Sequence, residues 1–218
     1  MRLASTVMLV RDGAIGLEVL MVRRSSHSAF APDAFVFPGG TVDPEDYAAE
    51  SDAWASRIAD EFRAQTPEEL PATEEPVGTA DARALVAAAV RELREEAAVD
   101  IAPDRLVLFS HWITPPTEPR RYNTHFFLAA GDASVTASAD AFETHDAQWV
   151  APSAALERYA RGEMHLVYPT IKHLERLAGF ERVADALSYA RTKPILTIMP
   201  DRAPSEGFVM PEELEGAW

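Results

Sequence analysis

No cysteine occurs among the 218 residues, which excludes disulfides, thiol catalysis and thiolate metal sites. Any metal must then be held by oxygen or histidine nitrogen, donors that suit hard cations. Long apolar runs are missing too. The longest, STVMLV and LVAAAV, fall far short of the roughly 18 residues that span a bilayer. Arg11 and Asp12 interrupt the N-terminal apolar stretch before a signal-peptide pattern develops, so the expectation is a soluble, cytoplasmic protein with no membrane partner. Positive charge is also scarce. Twenty Lys and Arg face 35 Asp and Glu, a net charge of −15, and a phosphate backbone is normally met by a basic field, so a nucleic-acid polymer is an unfit partner. A small phosphorylated ligand remains compatible, given divalent cations to neutralise local carboxylates and a few arginines to meet the phosphates.

What is present is an apolar fraction of 47% without a long low-complexity tract, enough for one ample core, so residues 1–218 are read as one domain. STVMLVRDGAIGLEVLMVRR reads as two strands around an Asp12-Gly13 turn. AFVFPGG reads as a short strand stopped by Pro38, with Gly39 and Gly40 free to take backbone angles closed to other residues. Residues 47–66 have helical composition and TPEELPATEEPVGT reads as an acidic loop, which makes 47–80 an insertion. ADARALVAAAVRELREEAAV holds good helix formers without Gly or Pro, and predicts a helix. RLVLFSHWITPP, RYNTHFFLAA and AQWVAP read as strands. SAALERYARGE and YPTIKHLERLAGFERVADALSYA read as helical, and 194–218 as an extended tail that packs on the body or on a second subunit, so a homodimer is one expectation. The order is mixed, an α+β chain.

On the predicted helix Glu92, Glu95 and Glu96 share a face, because residues three and four apart are neighbours. Val86, Val90, Leu93 and Ala97 form a separate stripe that can face a core. Glu92 and Glu96 repel by roughly 0.2–0.5 kcal/mol unless something neutralises them, and a divalent cation would. A solvated charged face, with Arg91 paired to Glu95, is the plain alternative.

The stretches FPGGTVDPED and RELREEAAV together resemble the Nudix hydrolase signature. Gly40 matches its opening glycine and Asp46 falls where a glutamate belongs. Arg91, Glu92, Leu93, Glu95, Glu96 and Val99 match the second half. Asp46 for Glu, Ala98 for the closing Gly, and the 44 residues between Asp46 and Arg91 depart from the pattern. An interrupted box of this kind is similar to a subgroup that includes coenzyme A diphosphatases, and HWITPPTEPRRYNTHFFLA with YPTIKHL also resembles it.

The resemblance implies a Nudix-type α/β/α sandwich with a mixed sheet and a helical insertion between the glycine turn and the catalytic helix. It implies a hydrolase that cleaves the pyrophosphate bond of a nucleoside diphosphate linked to another moiety, such as a coenzyme A derivative, by metal-activated water. Glu92, Glu95, Glu96 and the carbonyl of Gly39 would hold Mg2+ or Mn2+, and Asp46 would help hold Arg91. The general base would come from the box helix, at Glu95 or Glu96, or from the loop DAFETHDAQWV, with Glu143 first, Asp146 second and His145 a further option. Arg23, Arg24, Arg120 and Arg121, with Gly40, are candidates for phosphate contact, and Trp112 or Tyr122 for stacking on a base. The other histidines lack metal spacing. The alternative function is a Nudix-fold nucleotide-binding or regulatory module without turnover, which Asp46 and Ala98 would explain.

Overall fold

The computed structural model describes residues 1–27, 31–48, 58, 60, 77–132, 144–203 and 207–218. The predicted helix over 47–66 and the acidic loop after it lie outside these residues, apart from the short turn up to residue 48 and from Ile58 and Asp60. Both of the latter are helical, and Ile58 is buried.

The strands are β1 (Arg2–Gly13), β2 (Gly16–Arg24), β3 (Phe35–Val36), β4 (Gly39–Thr41), β5 (Val107–Ile113), β6 (Tyr122–Ala130), β7 (Thr144–Val150), β8 (Thr197–Ile198), β9 (Asp201–Ala203) and β10 (Gly207–Val209). The first eight form a mixed sheet, whose main path runs β3-β2-β1-β6-β5-β8 with β4 on β1 and β7 on β2. β1 pairs with β6 in parallel along most of its length, while its other edge is shared: Ala4, Ser5 and Thr6 face Thr41, Gly40 and Gly39, and Val10 to Gly13 face Val19 to Gly16.

Both faces of the sheet are covered, which is why β1 and β2 read as nearly continuous apolar runs. Val7, Leu9, Leu20 and Val22 pack beneath helix α1 (Thr79–Ala97) with its Leu85, Val86, Ala89, Leu93 and Ala97. Met8, Val10, Val19 and Met21 face the other layer, made by α2 (Pro152–Ala160), α3 (Tyr168–Leu177) and α4 (Val183–Thr192). Each fully buried Leu or Val contributes roughly 1.5–3 kcal/mol. Leu93→Ala would remove a fully buried side chain under α1, a loss of about 2–5 kcal/mol. The chain is the predicted α+β sandwich.

Two local expectations are corrected. The β1–β2 turn is Ala14-Ile15, with Gly13 paired to Gly16. Gly16 takes the positive φ of 136°, and Asp12 is held elsewhere, its Oδ1 accepting the first helical N–H of α4 from Val183 at 2.9 Å. The helical run over 168–190 is broken between α3 and α4 around Gly179. The tail is used within its own chain: Ile198, Met210 and Trp218 are buried in the layer of α3 and α4, which removes the ground for expecting the tail at a subunit interface.

Candidate active site

Gly39 and Glu96, 57 positions apart in the sequence, meet in a hydrogen bond, Gly39 N–H donating to Glu96 Oε2 at 2.9 Å. β4 makes this approach feasible because it carries almost no side chains. A Cβ at Gly40 would overlap the Glu92 carboxylate, and one at Gly39 would overlap the backbone of Ser5 and Thr6. Neither glycine has a positive φ, so the pair serves close approach and not the unusual backbone angles expected of it. α1 presents its apolar stripe to the sheet and Glu92 and Glu96 to β4. Both acids are buried, at 8% and 3% exposure, whereas the Glu95 side chain is 56% exposed.

Arg91 ties the two halves together. Its Nε and one terminal nitrogen donate to the two Asp46 oxygens at 3.1 and 2.9 Å, and the Thr41 carbonyl accepts at 3.1 Å. The other terminal nitrogen donates to Glu92 at 2.7 Å and Glu95 at 3.0 Å. Asp46 is 5% exposed, and its carboxylate also accepts the Asp43 N–H at 2.8 Å. The shorter acid therefore reaches Arg91 bidentately, the strongest geometry such a pair has. The Asp46 bonds, with those of Glu92, push the guanidinium above its ordinary range against the opposing effect of burial.

Ala98 follows α1 with φ 54° and ψ 36°, its N–H bonded to Arg94 O while Val99 N–H returns to Leu93 O. This is a left-handed helix end, where the absent glycine would have been unstrained.

A cleft of about 910 Å³ carries Gly39, Gly40, Glu92, Glu95 and Glu96 on its lining. Its floor uses alternate residues of the paired β1 and β6, with Arg2, Ala4 and Thr6 beside Tyr122, Thr124 and Phe126. Of the arginine candidates, Arg24 and Arg120 line the cleft and Arg23 and Arg121 do not. Arg23 turns to Asp33 at 2.9 Å, as strand alternation demands of neighbours. Arg121 donates to the Thr114 carbonyl at 2.9 Å. Trp112 and Tyr122 line the cleft. Glu143 lies outside the described residues; His145 lies in β7, and Asp146 is exposed there opposite Arg23. His111, His125 and His173 are buried, His27 is exposed, and His165 is exposed on the cleft rim. Sequence reasoning missed Asp43, Glu118, Tyr168, Pro200 and Phe208, which also line the cleft. Asp43, Glu118 and Tyr168 lie in stretches that carry the resemblance but were not singled out, and Pro200 and Phe208 are brought there by folding with no local pattern to mark them.

Among the described residues no three acidic or histidine side chains converge as a ready-made metal cage, because Arg91 draws Glu92 and Glu95 to itself. The donor set still fits a hard divalent cation. It is all oxygen: the buried carboxylates of Glu92 and Glu96 and the more exposed one of Glu95 stand on one helix beside the glycine strand.

A bare glycine strand thus lies against an acidic helix, with an arginine bridging the two inside an α/β/α sandwich. A NUDIX domain model matches residues 60–171, just over half the chain. The chain belongs to the Nudix family. The match begins beyond β4, so the motif's first half rests on the resemblance of FPGGTVDPED and on the contact of Gly39 with Glu96. A Caenorhabditis elegans protein provisionally named nudix hydrolase 7 is 26% identical, covering 88% of this chain and 66% of that protein. The acyl-coenzyme A diphosphatase NUDT19 of Homo sapiens is 27% identical, covering 79% and 63%. The chain thus spans a little under two thirds of these relatives. The crystal structure of a Nudix hydrolase from Alicyclobacillus acidocaldarius superposes with a TM-score of 0.66 at 28% identity, covering 86% of this chain and 96% of that one.

Proposed function

We propose that this protein is a divalent-metal-dependent hydrolase that cleaves the pyrophosphate bond of a nucleoside diphosphate joined to another moiety, with coenzyme A derivatives as the first substrates to test. The observation that carries this reading is the convergence of Glu92, Glu95, Glu96 and the glycine strand on one wall of a substrate-sized cleft. The acyl-coenzyme A diphosphatase name of a curated relative supports the substrate class.

Glu92, Glu95, Glu96 and the Gly39 carbonyl would hold Mg2+ or Mn2+, which would supply charge neutralisation and lower the pKa of a water. The chain's own residues do the rest. Arg91 keeps Glu92 and Glu95 in place and is itself held by Asp46. A water oxygen forms the new bond to phosphorus while the bridging P–O bond breaks, and a carboxylate takes the water's proton. Among the described carboxylates Glu95 is the exposed one on this wall, and Glu143 is the other candidate. Arg24 and Arg120 meet phosphate oxygens from within the cleft.

The binding-module alternative drew on Asp46 and Ala98. Asp46 bonds Arg91 on both oxygens, and Ala98 keeps the left-handed helix end, so neither departure disrupts the site. The test is incubation with ADP-ribose, coenzyme A derivatives and dinucleotide polyphosphates plus Mg2+ or Mn2+, with separation of products. Cleavage into two phosphorylated halves is expected, abolished by chelation. Failure on every compound would favour the binding module.

A further inference from the structure

Among the described residues the C-terminal strands β9 and β10 pair only with each other, apart from the main sheet. The hairpin they form is nevertheless fixed at both ends. Before it, Ile198 lies fully buried on β8, whose neighbour is Trp112 of β5. After it, Met210 and Trp218 are buried, and Glu215 pairs with Lys172 of α3 at 3.1 Å. Between these anchors the segment reaches the cleft, which Pro200 and Phe208 line together with the carboxylates of α1. Arg202 crosses from the hairpin to Glu118 at 2.5 Å, and Glu118 is itself on the cleft wall. The Arg202 guanidinium also sits 5.8 Å from the Phe208 ring centre.

The wall at this end differs from the phosphate-facing end. Phe208 lies 6.1 Å from Tyr168, Tyr168 6.2 Å from Trp112, and Trp112 6.5 Å from Phe126, ring centre to ring centre. All four line the cleft. A polar, acidic end that suits a metal and phosphates therefore continues into an aromatic end that suits neither. Trp112 and Phe126 are buried beneath, while Tyr168 and Phe208 are partly exposed on the cleft, where an apolar group can pack against them.

We infer that the hairpin is the substrate-selecting wall of the cleft, with Phe208 packing against an apolar group carried beyond the diphosphate and the Arg202–Glu118 pair holding the wall in position. This rests on the hydrolase reading for the identity of the diphosphate end. Two sources of apolar surface fit, a nucleobase or an aliphatic acyl chain, and one pair of probes separates them.

The experiment is titration calorimetry of octanoyl-coenzyme A and of ADP-ribose into the wild-type and Phe208→Ala proteins without divalent cation, followed by steady-state kinetics with Mg2+. Loss of one apolar contact is expected to weaken binding about tenfold, with the loss in KM and not in kcat. Weakening for octanoyl-coenzyme A alone assigns the wall to the acyl chain, and weakening for both assigns it to the shared adenosine. Phe208→Leu should recover part of the affinity, and Arg202→Gln should weaken it less than Phe208→Ala does. Unchanged affinity for both probes, in a variant with a wild-type melting temperature, overturns the inference. Because binding is read without turnover, a protein that cleaves nothing defeats the hydrolase reading and leaves this one to its own data.

Discussion

At the scale of single residues, the account turns on Asp46. Its carboxylate spends both oxygens on Arg91 and accepts one backbone N–H besides, all in a site 5% exposed. Asp46→Asn keeps the size and removes the charge, leaving a guanidinium without its main partner. Because the Arg91 side chain is 26% exposed, the loss should fall below that of a fully buried pair, at about 2–3 kcal/mol by chemical denaturation. A change within about 0.5 kcal/mol would show that the pair is idle. Ala98 makes the opposite prediction. With φ at 54°, Ala98→Gly should relieve strain and stabilise the protein by about 0.5–1 kcal/mol, a rise of about 2 °C in Tm. The need for a left-handed residue was legible in the sequence as a condition, since the signature has glycine there. That Asp46 would help hold Arg91 was implied by the resemblance; that it does so with both oxygens was not legible, because the reach depends on the 3-10 turn Pro44–Ala48, and turn geometry is set by contacts and not by composition.

Among the elements, β4 is the one whose smallness matters, and its two glycines should behave differently. Gly40→Ala would press on the end of the Glu92 side chain, which can swing away. The expected result is a stability change within about 1 kcal/mol but a fall in kcat of at least about tenfold. Gly39→Ala would meet the backbone of Ser5 and Thr6, which cannot move without breaking the β1–β4 pairing, so it should destabilise by more than about 2 kcal/mol. Equal effects of the two, in a melt and an assay run side by side, would contradict this division. α1 was legible to within a residue or two because it holds good helix formers without Gly or Pro and keeps an apolar stripe from Val86 to Ala97. The short tail strands were not. β8, β9 and β10 are two or three residues long, and such strands exist by virtue of their partners. Arg23 and Arg24 fall between these cases: alternation says that one of two neighbours faces a cleft, but not which.

For the molecule as a whole, two basic side chains, His173 and Lys193, were folded into the layer of α3 and α4. His173 is fully buried, bonded to Ser110 at 2.6 Å and to the Pro169 carbonyl at 2.6 Å. Burial lowers its pKa to about 3. Lys193, 6% exposed and 5.0 Å from the Phe109 ring centre, is lowered to about 7 by burial and by Arg176. In both cases the unfolded chain binds a proton that the folded chain resists, so stability must rise with pH. His173 contributes between about pH 3 and its unfolded value of 6.5, and Lys193 between about 7 and its unfolded value of 10.5. Lys193→Met should therefore stabilise the protein more at pH 6 than at pH 10, as denaturation at the two pH values would show. An equal gain at both would mean that Lys193 is not titrating as its burial requires. Composition could not foresee these buried basic groups, since a net charge of −15 says nothing about where individual basic side chains lie.

The central claim is that β4 and α1 form one catalytic site despite the 44 residues between Asp46 and Arg91. Its most direct test is the Mg2+-dependent turnover of a substrate found in the product screen, compared between wild type and the Glu95→Gln, Glu96→Gln double variant. A fall in kcat of at least about a hundredfold, with the fold retained by thermal melt, is the predicted result. Undiminished turnover in the folded double variant would contradict it.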